Sequence, residues 1–135
     1  MGYSFGARSR ARLETCHYDL QRVARTAIEY RDFSILEGFR DEETQNRYFR
    51  EGRSQIQWPN GKHNRKPSRA FDILPYPFKE EDWDDRELWI GFSHFIIGVA
   101  AGLGIKLRWG GDWDRDWDLR DNRFNDWPHF ELVED

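Results

Sequence analysis

LWIGFSHFIIGVAAGLGI, residues 88–105, runs for 18 positions without a formal charge. It poses a choice between two kinds of protein, because 18 apolar residues stand near the lower limit for spanning a bilayer. The stretch also holds Ser93, His94 and four glycines, Gly91, Gly98, Gly102 and Gly104. Its apolar residues Leu88, Trp89, Phe92, Phe95, Ile96, Val99, Ala100 and Leu103 recur at helical spacing and leave a face of smaller residues. A helix with one heavy face belongs against a core, and a small domain needs such a helix to close one. The stretch is therefore predicted to be a buried core helix rather than a membrane span, with Gly104 as its C-terminal stop.

Working outward, Leu20, Val23, Ala24, Ala27 and Ile28 follow an amphipathic helical pattern over residues 19–30, with Asp19 as the expected N-cap. Residues 33–37 read as a strand ending at Gly38. Asp41 is placed to cap a second helix over 42–51, whose acidic first turn suits the helix dipole. Residues 53–69, rich in Pro, Gly, Asn and Ser, read as a long loop of the kind that carries function. Residues 70–74, 105–109 and 129–133 read as strands, and 112–126 as an acidic, Trp-rich loop. Helices mixed with short, non-sequential strands imply an α+β fold with a small, mainly antiparallel sheet and helices packed on it.

Composition narrows the function. The chain has 135 residues, enough for one domain with a proper core, so a single domain spanning 1–135 is expected. One cysteine, Cys16, excludes a disulfide scaffold and a thiolate-rich zinc site. A net charge of −4 argues against nucleic acid as a partner. The charge is uneven: residues 1–70 carry 14 basic and 9 acidic side chains, residues 71–135 carry 7 and 16. The N-terminal residues lack the apolar core of a signal peptide, so export by that route is not expected.

Chemistry has few candidates. Of four histidines, His94 is expected to be a satisfied core-helix residue and His17 to sit near a helix start. His63 lies in the long loop, Asp72 nine residues later on the next strand, and His129 at the start of the last strand. Two imidazoles and a carboxylate can hold zinc and leave a fourth position for water. Amide hydrolysis also needs a nearby base, and Asp126, three residues before His129, can point into the same cleft. By spacing alone this reading is weak. The alternatives are a solvated loop histidine at 63, a salt-bridged Asp72 and an edge-strand His129. A carboxylate between Phe71 and Ile73 nevertheless needs a partner.

The ordered set Glu37-Gly38-Phe39-Arg40, Gln45, Gly52-Arg53-Ser54, Lys62-His63-Asn64, Ser68-Arg69-Ala70-Phe71-Asp72, Arg108-Trp109-Gly110-Gly111-Asp112-Trp113 and Asp126-Trp127-Pro128-His129-Phe130-Glu131 resembles the phage endolysin branch of the D-alanyl-D-alanine carboxypeptidase family. Those enzymes are L-alanyl-D-glutamate zinc peptidases, of a fold shared with hedgehog-type proteins. The resemblance runs from about residue 9 to residue 132. It implies His63, Asp72 and His129 as ligands of one Zn2+ ion and Asp126 as the general base. Arg40 would stabilise the oxyanion or hold a substrate carboxylate, and Gln45 would be structural or orient substrate. Two departures stand out. Many relatives place seven residues between the first His and the Asp, with a Ser two before the His, where this chain has the longer spacing and Gly61. Some relatives use Glu as the base. Glu131, two residues from His129 on the same strand face, is the other candidate base or a partner for a ligand.

The expected function is thus a peptidoglycan endopeptidase cutting between L-Ala and D-Glu of the stem peptide. The alternatives are a D,D-carboxypeptidase or dipeptidase, and a non-catalytic wall-binding module. The expected protein is a monomer with no stable membrane insertion. It would wait in the host bacterial cytoplasm and reach the wall after release during phage lysis. Asp112, Asp114, Asp116 and Asp118 alternate as at the opening of an EF-hand calcium loop, which makes Ca2+ a second candidate ion. The sixth place is Trp117 rather than Gly, and the closing place is Arg123 rather than Glu.

Overall fold

The computed structural model describes residues 2–113, 115 and 126–134. Among them are four α-helices, α1 (Ala7–Leu13), α2 (Tyr18–Ala27), α3 (Glu42–Arg50) and α4 (Arg86–Gly102). Four strands accompany them, β1 (Phe33–Glu37), β2 (Ala70–Pro75), β3 (Leu107–Gly110) and β4 (Asp126–Leu132). The strands form one antiparallel sheet in the order β1-β2-β4-β3. This is the α+β fold expected from the sequence.

The uncharged stretch is α4, and it is a core helix. Trp89, Phe92, Ser93, Ile96 and Ala100 are buried, and Gly104 just beyond its end takes φ +77°. No helix among the described residues is long and apolar enough to cross a membrane. Asp85 caps α4 by accepting from the Leu88 N–H at 3.1 Å. The helix seats its aromatic face on the sheet, where the Phe92 ring meets Phe33 of β1 at 5.8 Å and Phe130 of β4 at 6.4 Å. His94 lies in this helix, as expected, but on its exposed face. The apolar stripe turns it outward.

Strand alternation then sorts the chemistry. Phe33 and Ile35, Phe71 and Ile73, Leu107 and Trp109, and Phe130 and Leu132 are buried in the core. Successive strand residues point to opposite faces. Asp72, His129 and Glu131 are therefore left together on the face away from α4. Register completes the arrangement: Asp72 pairs with His129 across β2 and β4, and Glu37 pairs with Asp72 across β1 and β2 after a register shift between Ile35 and Glu37.

Three local expectations change. The cap of α2 is His17, whose Nδ1 accepts from the Asp19 N–H at 3.0 Å, so Asp19 is the capped residue rather than the cap. Helix α1 has no clear signature in the sequence, because ARSRARL carries little apolar periodicity. It guards the free edge of β1, where Ser9 Oγ accepts from the Ile35 N–H at 3.0 Å and Arg12 Nη1 donates to the Ile35 carbonyl at 3.1 Å. The long loop contains a single 3₁₀ turn, Lys62–Asn64, which carries His63.

Candidate metal centre

The 3₁₀ turn is held from several sides. The Arg40 N–H donates to the His63 carbonyl at 2.8 Å. Asn64 Oδ1 accepts from the Gly61 N–H at 2.9 Å, and Asn64 Nδ2 donates to the Arg40 carbonyl and to Gln45 Oε1, each at 3.1 Å. A side chain at position 61 would start 2.7 Å from Asn64 Oδ1, so glycine suits this turn. His63 is thereby brought over the polar face of the sheet.

There it meets the other two predicted ligands. His63 Nε2, His129 Nδ1 and Asp72 Oδ1 form a triangle with all three sides 3.2 Å. Both imidazoles are buried, with Asp72 half-buried beside them. Donor atoms around a tetrahedral zinc at about 2.0–2.1 Å stand roughly 3.3 Å apart, so the triangle has the size a single ion needs. The tautomers fit as well. His63 Nδ1 lies 2.7 Å from the Gly38 carbonyl, which can only accept. His129 Nε2 lies 2.8 Å from Glu131 Oε1, a carboxylate that also only accepts when ionised. Each ring therefore donates from its outer nitrogen and turns a lone pair inward. Two lone pairs and a carboxylate converging at this distance repel unless a cation or protons lie between them. Without a metal, protons take that place. Burial pulls the His129 pKa down, but hydrogen bonds to Asp72 and Glu131 outweigh it and push the value up to about 10. Burial raises the pKa of Asp72, yet the facing His63 and His129 hold it well below the usual carboxylate range.

Asp126 begins β4 opposite Gly110, where any side chain on the glycine would collide with the Asp126 carbonyl. It lines the same cleft as the triad, a cavity of about 940 Å³. Burial, reinforced by the anionic Asp72, raises the Asp126 carboxyl to about 6, while His129, His63 and Arg40 pull the other way. That is a useful value for a base at neutral pH.

Arg40 is buried, not a surface ion pair. Its Nε and Nη2 donate to Glu37 Oε1, its Nη1 donates to Gln45 Oε1 at 2.9 Å, and Nη2 stands 3.6 Å from Asp72 Oδ2. Gln45 is 1 % exposed. Its Oε1 accepts from Arg40 and Asn64, and its Nε2 donates to Ser54 Oγ and the Ile56 carbonyl at 3.0 and 2.6 Å. Both ends of the amide are engaged inside the protein. Of its two expected roles, the bonding supports the structural one, tying α3 to the His63 turn.

Sequence reasoning left Glu37 and Asn64 without roles. Both stood within the quoted motifs, but their partners lie on other elements. The contacts of Glu131 favour the reading as a partner for His129: besides His129 it meets Arg108 Nη1 at 3.3 Å. Replacing it by Ala removes the acceptor that orients His129, and metal affinity is expected to fall by about 10–100-fold. A chelator-competition titration checks this, and unchanged affinity would count against the role. Of the alternating aspartates, Asp114, Asp116 and Asp118 lie outside the described residues. Asp112 is buried, at 5 % exposure.

Comparisons with known proteins bear on this geometry. The family described as phage L-alanyl-D-glutamate peptidase matches residues 1–133. The L-alanyl-D-glutamate peptidase of Escherichia phage T5 is 33 % identical over 138 residues, covering 98 % of this chain and all of that protein. The crystal structure of Serratia marcescens L-Ala D-Glu endopeptidase ChiX superposes with a TM-score of 0.72 at 30 % identity, covering 96 % of this chain and 90 % of that one.

Proposed function

Because the chain belongs to the phage L-alanyl-D-glutamate peptidase family, we propose that it cleaves peptidoglycan stem peptides between L-Ala and D-Glu, with one zinc ion held by His63, Asp72 and His129. The chain is a hydrolase of the cell wall. The observation that carries the metal reading is the 3.2 Å triangle of inward-facing donor atoms, whose outer imidazole nitrogens are both committed to acceptors. A zinc ion bound there supplies Lewis acidity, polarising the scissile carbonyl and making water more acidic.

The protein's own groups do the rest. Asp126, ionised above about pH 6, takes the proton of the attacking water and returns it to the leaving amine. Arg40 keeps a fixed positive charge next to Asp72, where it can steady the charge that builds on the carbonyl oxygen. Glu37 and Gln45 hold that guanidinium in place. Glu131 and the Gly38 carbonyl orient the imidazoles. We place the protein in the host cytoplasm until lysis, acting as a monomeric catalytic domain.

Digestion of purified peptidoglycan tests the reading, with the new termini identified by mass spectrometry. Free L-Ala carboxyl and D-Glu amino ends are expected, and they should vanish with chelator. Release of D-Ala alone would mark a carboxypeptidase. Zinc binding without cleavage would mark a wall-binding module.

A further inference from the structure

The cleft must receive an acidic substrate, yet it is lined by the carboxylates Glu37, Asp72, Asp126 and Glu131. A glutamyl residue carries two carboxyl groups. Whichever one continues the peptide chain, the other is free, so the residue after the scissile bond brings a negative charge into this cleft. A cation with capacity to spare has to meet it. Among the described residues, three lysine or arginine side chains line the cleft: Arg40, Arg53 and Lys62. Arg40 is buried and engaged with Glu37, Gln45 and Asp72. Lys62 Nζ donates to the Leu132 carbonyl at 3.0 Å and stands 3.6 Å from Glu134. Arg53 differs. Its side chain is 59 % exposed, and its ion pair with Glu51 at 3.5 Å is a surface contact of a kind that water readily replaces.

Arg53 is also held in place. Its guanidinium carbon stands 4.0 Å from the centre of the Tyr48 ring, and that of Arg40 stands 4.7 Å from the same centre. Through the shared ring the two charges lie within about 9 Å of each other. Stacking pre-orients a guanidinium and leaves its in-plane N–H groups directed outward, the arrangement suited to a planar carboxylate. The backbone gives further support, with the Arg53 N–H donating to the Tyr48 carbonyl at 2.8 Å.

We infer that Arg53, stacked on Tyr48 at the cleft rim, binds the free carboxylate of the D-glutamyl residue and makes the enzyme selective for substrates that carry it. This rests on the reading of the cleaved bond given above.

The test compares two stem peptides, one with the free D-glutamyl carboxylate and one with that group as its amide, on wild type, Arg53→Gln and Arg53→Lys. Wild type is expected to favour the free acid by about tenfold or more in kcat/KM, chiefly through KM, as a charge-assisted hydrogen bond implies. In Arg53→Gln the preference should collapse to about one. Arg53→Lys, which keeps the charge and loses the flat stacked fork, should hold part of it. Equal cleavage of both peptides by wild type, or a preference that survives in Arg53→Gln, would overturn the assignment. If wild type cut neither peptide between L-Ala and D-Glu, the reading of the bond itself would fall, and the assignment with it. Zinc content and melting temperature of each variant separate loss of contact from loss of fold.

Discussion

Asp126→Asn is expected to lower kcat/KM by about 10²–10⁴-fold while metal content stays at the wild-type level. The amide keeps the size and much of the hydrogen bonding of the carboxyl, so β4 should hold its place opposite Gly110. What is lost is the capacity to accept a proton. The same group sets the expected acid limb of the pH profile. Burial and the Asp72 anion raise Asp126 to about 6, so the base is ionised above that value and protonated below it. Activity should therefore fall as pH drops through 6. A cation bound by Asp72 offsets the neighbouring anion and moves the limb downward, so it should lie at or below pH 6 in the metal-loaded enzyme. Asp126→Asn should flatten this limb. Steady-state rates from pH 4 to 8, with metal analysis at each end, check both expectations. An Asn variant with wild-type rate would remove Asp126 from the chemistry.

His63→Ala is expected to abolish activity by removing the metal rather than the base. The ligand triangle has three sides of 3.2 Å, and deleting one corner leaves two donors, too few for a tight site. Zinc per chain should drop from about one to near zero after dialysis. Stability reports the same loss independently. A ligand that binds only the folded state adds about 4 kcal/mol at a free concentration 1,000 times its Kd. Wild type should thus melt higher with added zinc and lower with chelator, and His63→Ala should show neither shift. Acid should weaken binding in wild type, since His129 carries a proton up to about pH 10 without metal and must release it to ligate. Unchanged zinc content in His63→Ala would disprove the ligand assignment.

Much of this was open to reading along the chain. The core helix followed from the spacing of Trp89, Phe92, Ile96 and Ala100, and the alternation Phe71-Asp72-Ile73 already set the carboxylate apart from the core. The cap at Asp41 was legible because capping is local: its side chain accepts from the Thr44 N–H three residues on. Helix α1 was not, because much of its stability comes from contacts with β1, 26 residues away at Ser9. Gln45 is ambiguous in the same way. A buried amide looks alike in sequence whether it faces a substrate or four internal partners.

Local pattern carried the types of most elements, the face each strand residue takes, and, through the resemblance, the three candidate ligands that the fold brings together. Pairing was beyond it. That Asp72 stands beside His129 depends on β2 lying next to β4, and that Glu37 stands beside Asp72 depends on a register shift in β1. Strand order and register depend on packing such as that of Phe130 against Phe71 and Phe92, a free energy shared among segments far apart in the chain. The inward lone pairs of His63 and His129 and the raised Asp126 arise from those long-range contacts, whereas the Tyr48 contact that presents Arg53 is local, made five residues along the chain.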